Sequence, residues 1–298
     1  MGMVLLRVLD DRFQAQVWTQ ALEAEGIPHL LRTYEDTAYD GLFVTQKGFA
    51  SLYVEEAWLE RAQELDAALA GQARPQKITP AELAAMIDHT LLDPNAGPEE
   101  LEEHLAQCLE MGAAAACIPP WLVSRARQTL AGSPVRLCTV VCFPLGMETA
   151  ATKAHQAAEL AATGAQELDV VFNRGLALAG ELGAAVEEIA QVVEAARPSA
   201  VKVILECSAL GPELSAAAAE RLARVGVAWL KTGTGFFGPA TTAEVGILAA
   251  AAPSVPIKAA GGIRTLEQAL ALIQAGAERL GTSSGWEIFQ AARQAQED

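Results

Sequence analysis

From residue 78 to the end of the chain, short apolar runs alternate with longer alanine-rich stretches. The runs Met86–Leu92, Ala113–Ile118, Val135–Val141, Glu167–Phe172, Val201–Cys207, Ala228–Lys231, Ile257–Ala260 and Arg279–Thr282 have the length of buried strands. The stretches between them, Pro98–Met111, Pro120–Ala131, Thr149–Thr163, Gly180–Ala196, Ser215–Val225, Ala243–Ala252 and Leu266–Ala275, read as helices. A further helix opens at Thr79, Pro80 and Glu82, with a hydroxyl cap, a proline in the first turn and an acid close behind. Strands joined through helices run parallel, because a parallel pair needs a crossover connection. Eight of them predict an α/β fold of the (β/α)₈ TIM-barrel type over 78–298. An open doubly wound sheet is the alternative; it is disfavoured because no early glycine-rich turn marks a dinucleotide switch point and polar residues follow the strand ends throughout.

The first 70 residues have a different texture. Met3–Val8 and Ile27–Leu31 read as strands, and Arg12–Glu25 between them as an amphipathic helix stopped by Gly26, with Phe13, Val17, Ala21 and Leu22 on its apolar stripe. Leu42–Thr45 and Ala50–Val54 read as strands around a turn at Gln46–Gly48, and Glu56–Leu69 as a closing helix. The prediction is a small α+β domain over 1–70, regulatory or oligomerising, with no catalytic cluster; 71–77, polar around Arg74 and Pro75, is the expected linker.

Candidate chemistry begins with two lysines. Trp229 and Leu230 lead into Lys231 and then a Thr/Gly loop; Pro256 and Ile257 lead into Lys258 and then Ala259, Ala260, Gly261 and Gly262. On neighbouring parallel strands the two ammonium groups would meet at one rim. An apolar wall and a like charge both favour the neutral amine that attacks a carbonyl to form a Schiff base. Asp169 interrupts an apolar strand and points inward if the faces alternate, which makes it a partner for both lysines and a proton shuttle. Asp88 joins the same mouth, to orient a lysine or satisfy the loop. Gly261 and Gly262, with Ser283 and Ser284, precede helices after the seventh and eighth strands, where backbone N–H groups and hydroxyls suit a phosphate.

Composition narrows the partners. A net charge of −16 argues against nucleic acid and anionic membranes, so an anionic small molecule needs a local positive site. No apolar run reaches the roughly 18 residues of a bilayer span, and Arg7, Asp10 and Asp11 break any signal-like start. Five cysteines, all but Cys108 in or beside apolar strand-like runs, suit reduced thiols and a cytoplasmic location. The closest pair, Cys138 and Cys142, lacks further ligands for a metal, so no metal is expected.

The motifs together resemble those of the deoxyribose-phosphate aldolase family. They are Asp88-His89-Thr90-Leu91-Leu92, Cys138-Thr139-Val140-Val141 with Phe143-Pro144-Leu145-Gly146, Glu167-Leu168-Asp169-Val170-Val171, Lys231-Thr232 with Thr234-Gly235-Phe236, Lys258 with Gly261-Gly262-Ile263-Arg264-Thr265, and Gly281-Thr282-Ser283-Ser284. The resemblance implies a class I aldolase without cofactor, in which Lys231 forms the Schiff base, Lys258 and Asp169 relay protons, and Asp88, Cys117 and Thr234 complete the pocket. It implies a sugar phosphate and an aldehyde as ligands and a homo-oligomer as the assembly. Gly233 and Ala260 stand where the family commonly has serine, Asp93 where it has lysine, Pro119 where it has asparagine and Cys142 where it has glycine. The alternatives are another Schiff-base aldolase of this fold, or a regulatory sugar-phosphate binder without turnover. The N-terminal segment lies outside this family and resembles a small bacterial domain described as signal-transducing, through Glu25-Gly26-Ile27-Pro28 and Val54-Glu55-Glu56.

Overall fold

The structure, a computed structural model, describes residues 2–9, 12–33, 50–72 and 78–297. The chain divides into two compact units, Met1–Lys77 and Ile78–Asp298.

In the first unit β1 (Met3–Leu9), α1 (Arg12–Ala24), β2 (His29–Thr33), β3 (Ala50–Glu55) and α2 (Leu59–Gln72) build an antiparallel sheet in the order β1-β3-β2. Leu9, Leu52 and Val54 pack with Trp18, Leu22 and Ala62 into its core. Asp66 on α2 ties the elements together, accepting from Trp18 Nε1 at 2.6 Å and Arg7 Nη1 at 3.0 Å. Gly26 takes φ 67°, and the Ile27 N–H turns back to the Leu22 carbonyl at 2.8 Å. That helix-end bond occupies Ile27, so β2 starts two residues later than the apolar run. Leu42–Thr45, the turn at Gln46–Gly48 and residues 73–77 of the expected linker lie outside the described residues, as do the side chains of Phe13 and Val17. Gly71 and Gln72 finish α2.

In the second unit the order is α3 (Pro80–Ala84), β4 (Ile87–Thr90), α4 (Pro98–Met111), β5 (Ala115–Ile118), α5 (Val123–Thr129), β6 (Arg136–Val141), α6 (Ala150–Thr163) and β7 (Glu167–Val171). It continues with α7 (Arg174–Leu178), α8 (Leu182–Ala195), β8 (Ala200–Ile204), α9 (Cys207–Leu210), α10 (Pro212–Leu222), β9 (Trp229–Lys231), α11 (Thr242–Ala251), β10 (Ile257–Ala260), α12 (Leu266–Gln274), β11 (Ala277–Thr282) and α13 (Gly285–Glu297). All strand pairs are parallel and β11 returns to β4, closing the barrel. Thr79, Thr241 and Thr265 start their helices with capping boxes completed by Glu82, Glu244 and Gln268.

Residues of alternate parity face the helices: Leu168, Val170, Val201, Val203, Leu230, Ala259 and Leu280 belong to the main core. Inside the barrel, Ala115, Cys117, Cys138 and Val140 form a separate apolar cluster. Each of the remaining strands carries at least one charged residue at an inward position: Asp88, Glu167 and Asp169, Lys202, Lys231, Lys258 and Arg279. Two expected strands end two or more residues early, and β7 stops one short of Phe172. β4 stops at Thr90, although the Leu91 N–H still bonds to the Cys117 carbonyl, and β8 stops at Ile204 because Glu206 takes φ 59° and Cys207 opens α9.

Candidate active site

Lys231 ends β9 and lies in register with Lys258 on β10. Both ammonium groups donate to one oxygen of Asp169 from β7, Oδ2, each at 2.7 Å. Lys258 also donates to Asp88 Oδ2 from β4 at 2.5 Å. Asp88, Asp169 and Lys258 are fully buried, and Lys231 is 5% exposed at the top of the set.

Beside the apolar wall expected for Lys231 stands the acid expected to partner both lysines. Strand alternation that turns Leu168 and Val170 to the helices turns Asp169 inward, so an acid stands between the two lysines. Beneath them are three charged groups to which the sequence reading gave no role. Lys202 on β8 donates to Asp88 Oδ2 at 2.6 Å and approaches Asp169 Oδ1 at 3.3 Å. It also forms an ion pair of 2.5 Å with Glu167 Oε2, without hydrogen-bond alignment. Arg279 on β11 donates to Asp88 Oδ1 at 2.6 Å and stacks over Trp229, 4.7 Å from the ring centre. The signal for Lys202 was present: a lysine in an apolar strand at inward parity is found by the argument that found Asp169.

Burial by itself would discharge these groups; the pairing reverses its effect. Burial opposes the charged form of Asp169, but Lys202, Lys231 and Lys258 outweigh it and hold the carboxyl well below the usual range. Burial is likewise overcome at Asp88 by Lys202, Lys258 and Arg279. Lys258 and Lys202 are moved the other way: against burial, Asp169 and Asp88 keep both ammonium groups protonated above the ordinary lysine range.

Above Lys231 opens a cavity of about 490 Å³. Lys231, Thr234, Gly261, Gly262, Arg264 and Ser283 line it together with Thr90, Asp93, Phe143, Phe236 and Ala260. Gly261 and Gly262 adopt φ 119° and 64°, and a Cβ at Gly261 would lie 2.9 Å from the Gly238 carbonyl, so this loop needs glycine. Ser284 is not among the lining residues; its N–H is bonded to Thr282 Oγ1 at 2.9 Å, at the start of α13. Cys117, Asp88, Asp169 and Lys258 lie off the cavity wall, and Cys117 packs inside the barrel beside Cys138. Arg264, present in the family motif but given no role from sequence, faces the cavity with Gly262.

Some of the unusual positions have local causes. A Cβ at Gly233 would lie 2.7 Å from Glu206 Oε1, and the other oxygen of Glu206 accepts from Thr234 N–H at 3.1 Å and Oγ1 at 2.5 Å. Glu206 is thus a buried support of the cavity loop, missed because it fell near the end of an expected strand. Cys142 adopts φ 52°, a conformation that favours glycine, held by its N–H bond to Gln156 Oε1 at 2.8 Å. Cys117, Cys138 and Asp169 bring possible metal ligands together, as do Asp88, Cys138 and Glu167. Ammonium groups already occupy the carboxylate oxygens, so these sets do not fit a resident cation.

The profile of the DeoC/LacD family aldolases matches residues 83–291. A deoxyribose-phosphate aldolase of Thermus thermophilus is 46% identical over 207 residues, covering 68% of this chain and 94% of that protein. Its counterpart in Cyanothece sp. strain PCC 7425 is 44% identical over 210 residues, covering 70% and 92%. Among solved structures, an aldolase designated QR15 superposes with a TM-score of 0.69 at 33% identity, over 72% of this chain and 98% of that one. The deoxyribose phosphate aldolase of Aeropyrum pernix, described as having a unique tetrameric structure, gives 0.69 at 30% identity over 73% and 93%. Closed parallel barrel, paired strand-end lysines and this sustained identity lead to one assignment: the chain belongs to the DeoC/LacD family of aldolases.

Proposed function

We propose that the barrel unit reversibly cleaves 2-deoxy-D-ribose 5-phosphate to D-glyceraldehyde 3-phosphate and acetaldehyde, in deoxyribonucleoside breakdown, through a Schiff base on Lys231. The observation that carries this reading is that Lys231, among the buried lysines of the barrel interior, is the one that lines the cavity, with Asp169 and Lys258 directly behind it.

The unprotonated Lys231 attacks the substrate carbonyl, and loss of water gives an iminium. This group accepts the electron pair of the adjacent carbon–carbon bond as that bond breaks, while the departing hydroxyl gives up its proton to a base. Glyceraldehyde 3-phosphate leaves and an enamine remains on Lys231. Asp169 and Lys258, joined at 2.7 Å, return a proton to the enamine carbon through a relay. Water then hydrolyses the iminium, freeing acetaldehyde and the lysine. The Gly261 and Gly262 N–H groups, Ser283 and Arg264 hold the phosphate, the guanidinium supplying the local positive charge that a chain of net charge −16 requires. Asp88 keeps Lys258 in place, and Thr234 shapes the wall. The reading needs no metal or organic cofactor. It takes the protein as a cytoplasmic homo-oligomer, in line with its free, buried cysteines and with the tetramer described for the Aeropyrum pernix relative.

Borohydride reduction in the presence of acetaldehyde, followed by intact mass and peptide mapping, tests it. A two-carbon adduct on Lys231 is expected, absent in Lys231→Leu. Lys258→Leu and Asp169→Leu are expected to lose at least about 10²-fold in turnover, the usual worth of a proton-relay group. Near-normal turnover in Lys231→Leu would overturn the assignment; an adduct on Lys258 alone would exchange the two lysine roles.

A further inference from the structure

Resting on the Schiff-base reading above, we infer that Glu167 and Arg279, at the base of the barrel interior, are positioning residues that set in opposite directions the pH at which Lys231 becomes reactive. Neither lines the cavity. Glu167 is two residues before Asp169 on β7 and Arg279 two before Gly281 on β11, so each lies roughly 7 Å deeper along its strand. Neither has a step in carbon–carbon cleavage. Both are nonetheless held in the interior, where a hydrophobic filling would be at least as stable as buried ion pairs.

Their connections point to a role. From Arg279 the bonds run to Asp88 Oδ1, from Asp88 Oδ2 to Lys258, and from Lys258 to the Asp169 oxygen that Lys231 shares. From Glu167 ion pairs run to Lys202 and on to the other oxygen of Asp169. Two strings of alternating charge, cross-linked where Lys202 meets Asp88 at 2.6 Å and Arg279 meets Glu167 at 3.5 Å, therefore converge on the partner of Lys231. The set contains the cations Lys202, Lys231, Lys258 and Arg279 against the carboxylates of Asp88, Glu167 and Asp169. It carries one surplus positive charge while Lys231 is protonated, and none once Lys231 has given up its proton to attack. The end members control that surplus. Without the Arg279 charge the set is balanced with Lys231 protonated, and the proton stays; without the Glu167 charge the surplus doubles, and the proton leaves more readily.

Other groups face the set without changing the sign. Lys231 meets Lys258 from β10 and Asp169 from β7, with the thiols of Cys117 and Cys138 nearby on β5 and β6. Glu167 also meets Arg136 at 3.5 Å, whose side chain is more than half exposed and solvated. A unit charge roughly 10 Å away through an effective dielectric of about 20 moves a titration by about one pH unit.

The experiment follows the rate of borohydride-trapped acetaldehyde adduct on Lys231 against pH in the full-length protein. Glu167→Gln is expected to move the acid limb down by about one unit and Arg279→Gln to move it up by a similar amount. The double variant returns it near the wild-type position, and Arg279→Lys, which keeps the charge, leaves it in place. Damage to packing alone would lower the plateau of both single variants without shifting their limbs in opposite senses. Limbs that stay put, or move together, while Lys231 is still trapped would overturn the inference and leave the Schiff base standing. Failure to trap Lys231 in the wild-type protein at any pH would instead overturn the parent reading. Should Arg279→Gln fail to fold, the downward shift of Glu167→Gln and the fixed limb of Arg279→Lys still decide the matter.

Discussion

Ser283 and Ser284 are adjacent in sequence and were given the same role from it, but the backbone separates them. Ser283 is exposed on the cavity wall, whereas Ser284 is half-buried with its N–H turned back to Thr282 and its carbonyl accepting the first bond of α13, from Ile288. A carboxylate added at 283 would face a bound phosphate directly, while one added at 284 would be set back from it. Ser283→Asp is therefore expected to raise KM for the phosphorylated substrate by about tenfold with kcat little changed, as removal of uniform binding requires. Ser284→Asp should raise it less. Equal effects, or none from Ser283→Asp, would remove Ser283 from the phosphate grip. At this scale the sequence showed lysines and an acid in apolar strands, because charge there is conspicuous. It did not distinguish a lining serine from a capping one, since that depends on a single peptide's orientation. Lys202 and Arg279 escaped because each opens or nearly opens its expected strand, Val201–Cys207 or Arg279–Thr282, where a polar residue passes for an edge.

Elements were legible where local chemistry marks them. Thr79 announces its helix, and the alternation of strand and helix carries through all eight units. Lengths were less legible, as at β8, because apolar residues continue past the last ladder bond. The packing of α4 on β4 was not legible at all. His89 from β4 and His104 from α4 stack at 4.4 Å between ring centres, and both are buried. Burial, and after it the neighbouring His89, pushes the His104 ring down to about 3; burial also pulls His89 below its usual range. In the unfolded chain both return to about 6.5. Above that pH both rings are neutral in either state and the stability is complete. As pH falls through 6.5 toward 3 the unfolded chain takes up protons that the folded barrel refuses, so stability declines. At about 1.4 kcal/mol per unit, His104 contributes a loss of about 2 kcal/mol between pH 6.5 and 5. Denaturant titration of the barrel transition at pH 7.5 and 5 checks this: His104→Leu should lose less between the two pH values than wild type, and an equal loss would exonerate the ring.

At the scale of the whole molecule, the two units have separate cores, one built from Leu9, Trp18, Leu22, Leu52 and Val54, the other spanning the barrel from Leu83 to Ala292. Every residue assigned to chemistry or phosphate binding lies in the second unit. The Thermus thermophilus relative matches over 94% of its own length while covering 68% of this chain, so the first unit has no counterpart in that match. We propose a regulatory or oligomerising role for the first unit, since the residues assigned to the aldolase chemistry all belong to the second. A protein comprising residues 78–298 is accordingly expected to fold, to trap acetaldehyde on Lys231, and to keep kcat/KM within a factor of about three, a difference of roughly 0.6 kcal/mol in barrier. Sedimentation of the full chain and the barrel side by side then separates the two roles left for residues 1–77. A smaller assembly for the barrel alone would make the first unit an oligomerising one, and an unchanged assembly would leave regulation. A barrel that folds but loses turnover by orders of magnitude would overturn the expectation that residues 78–298 carry the activity alone.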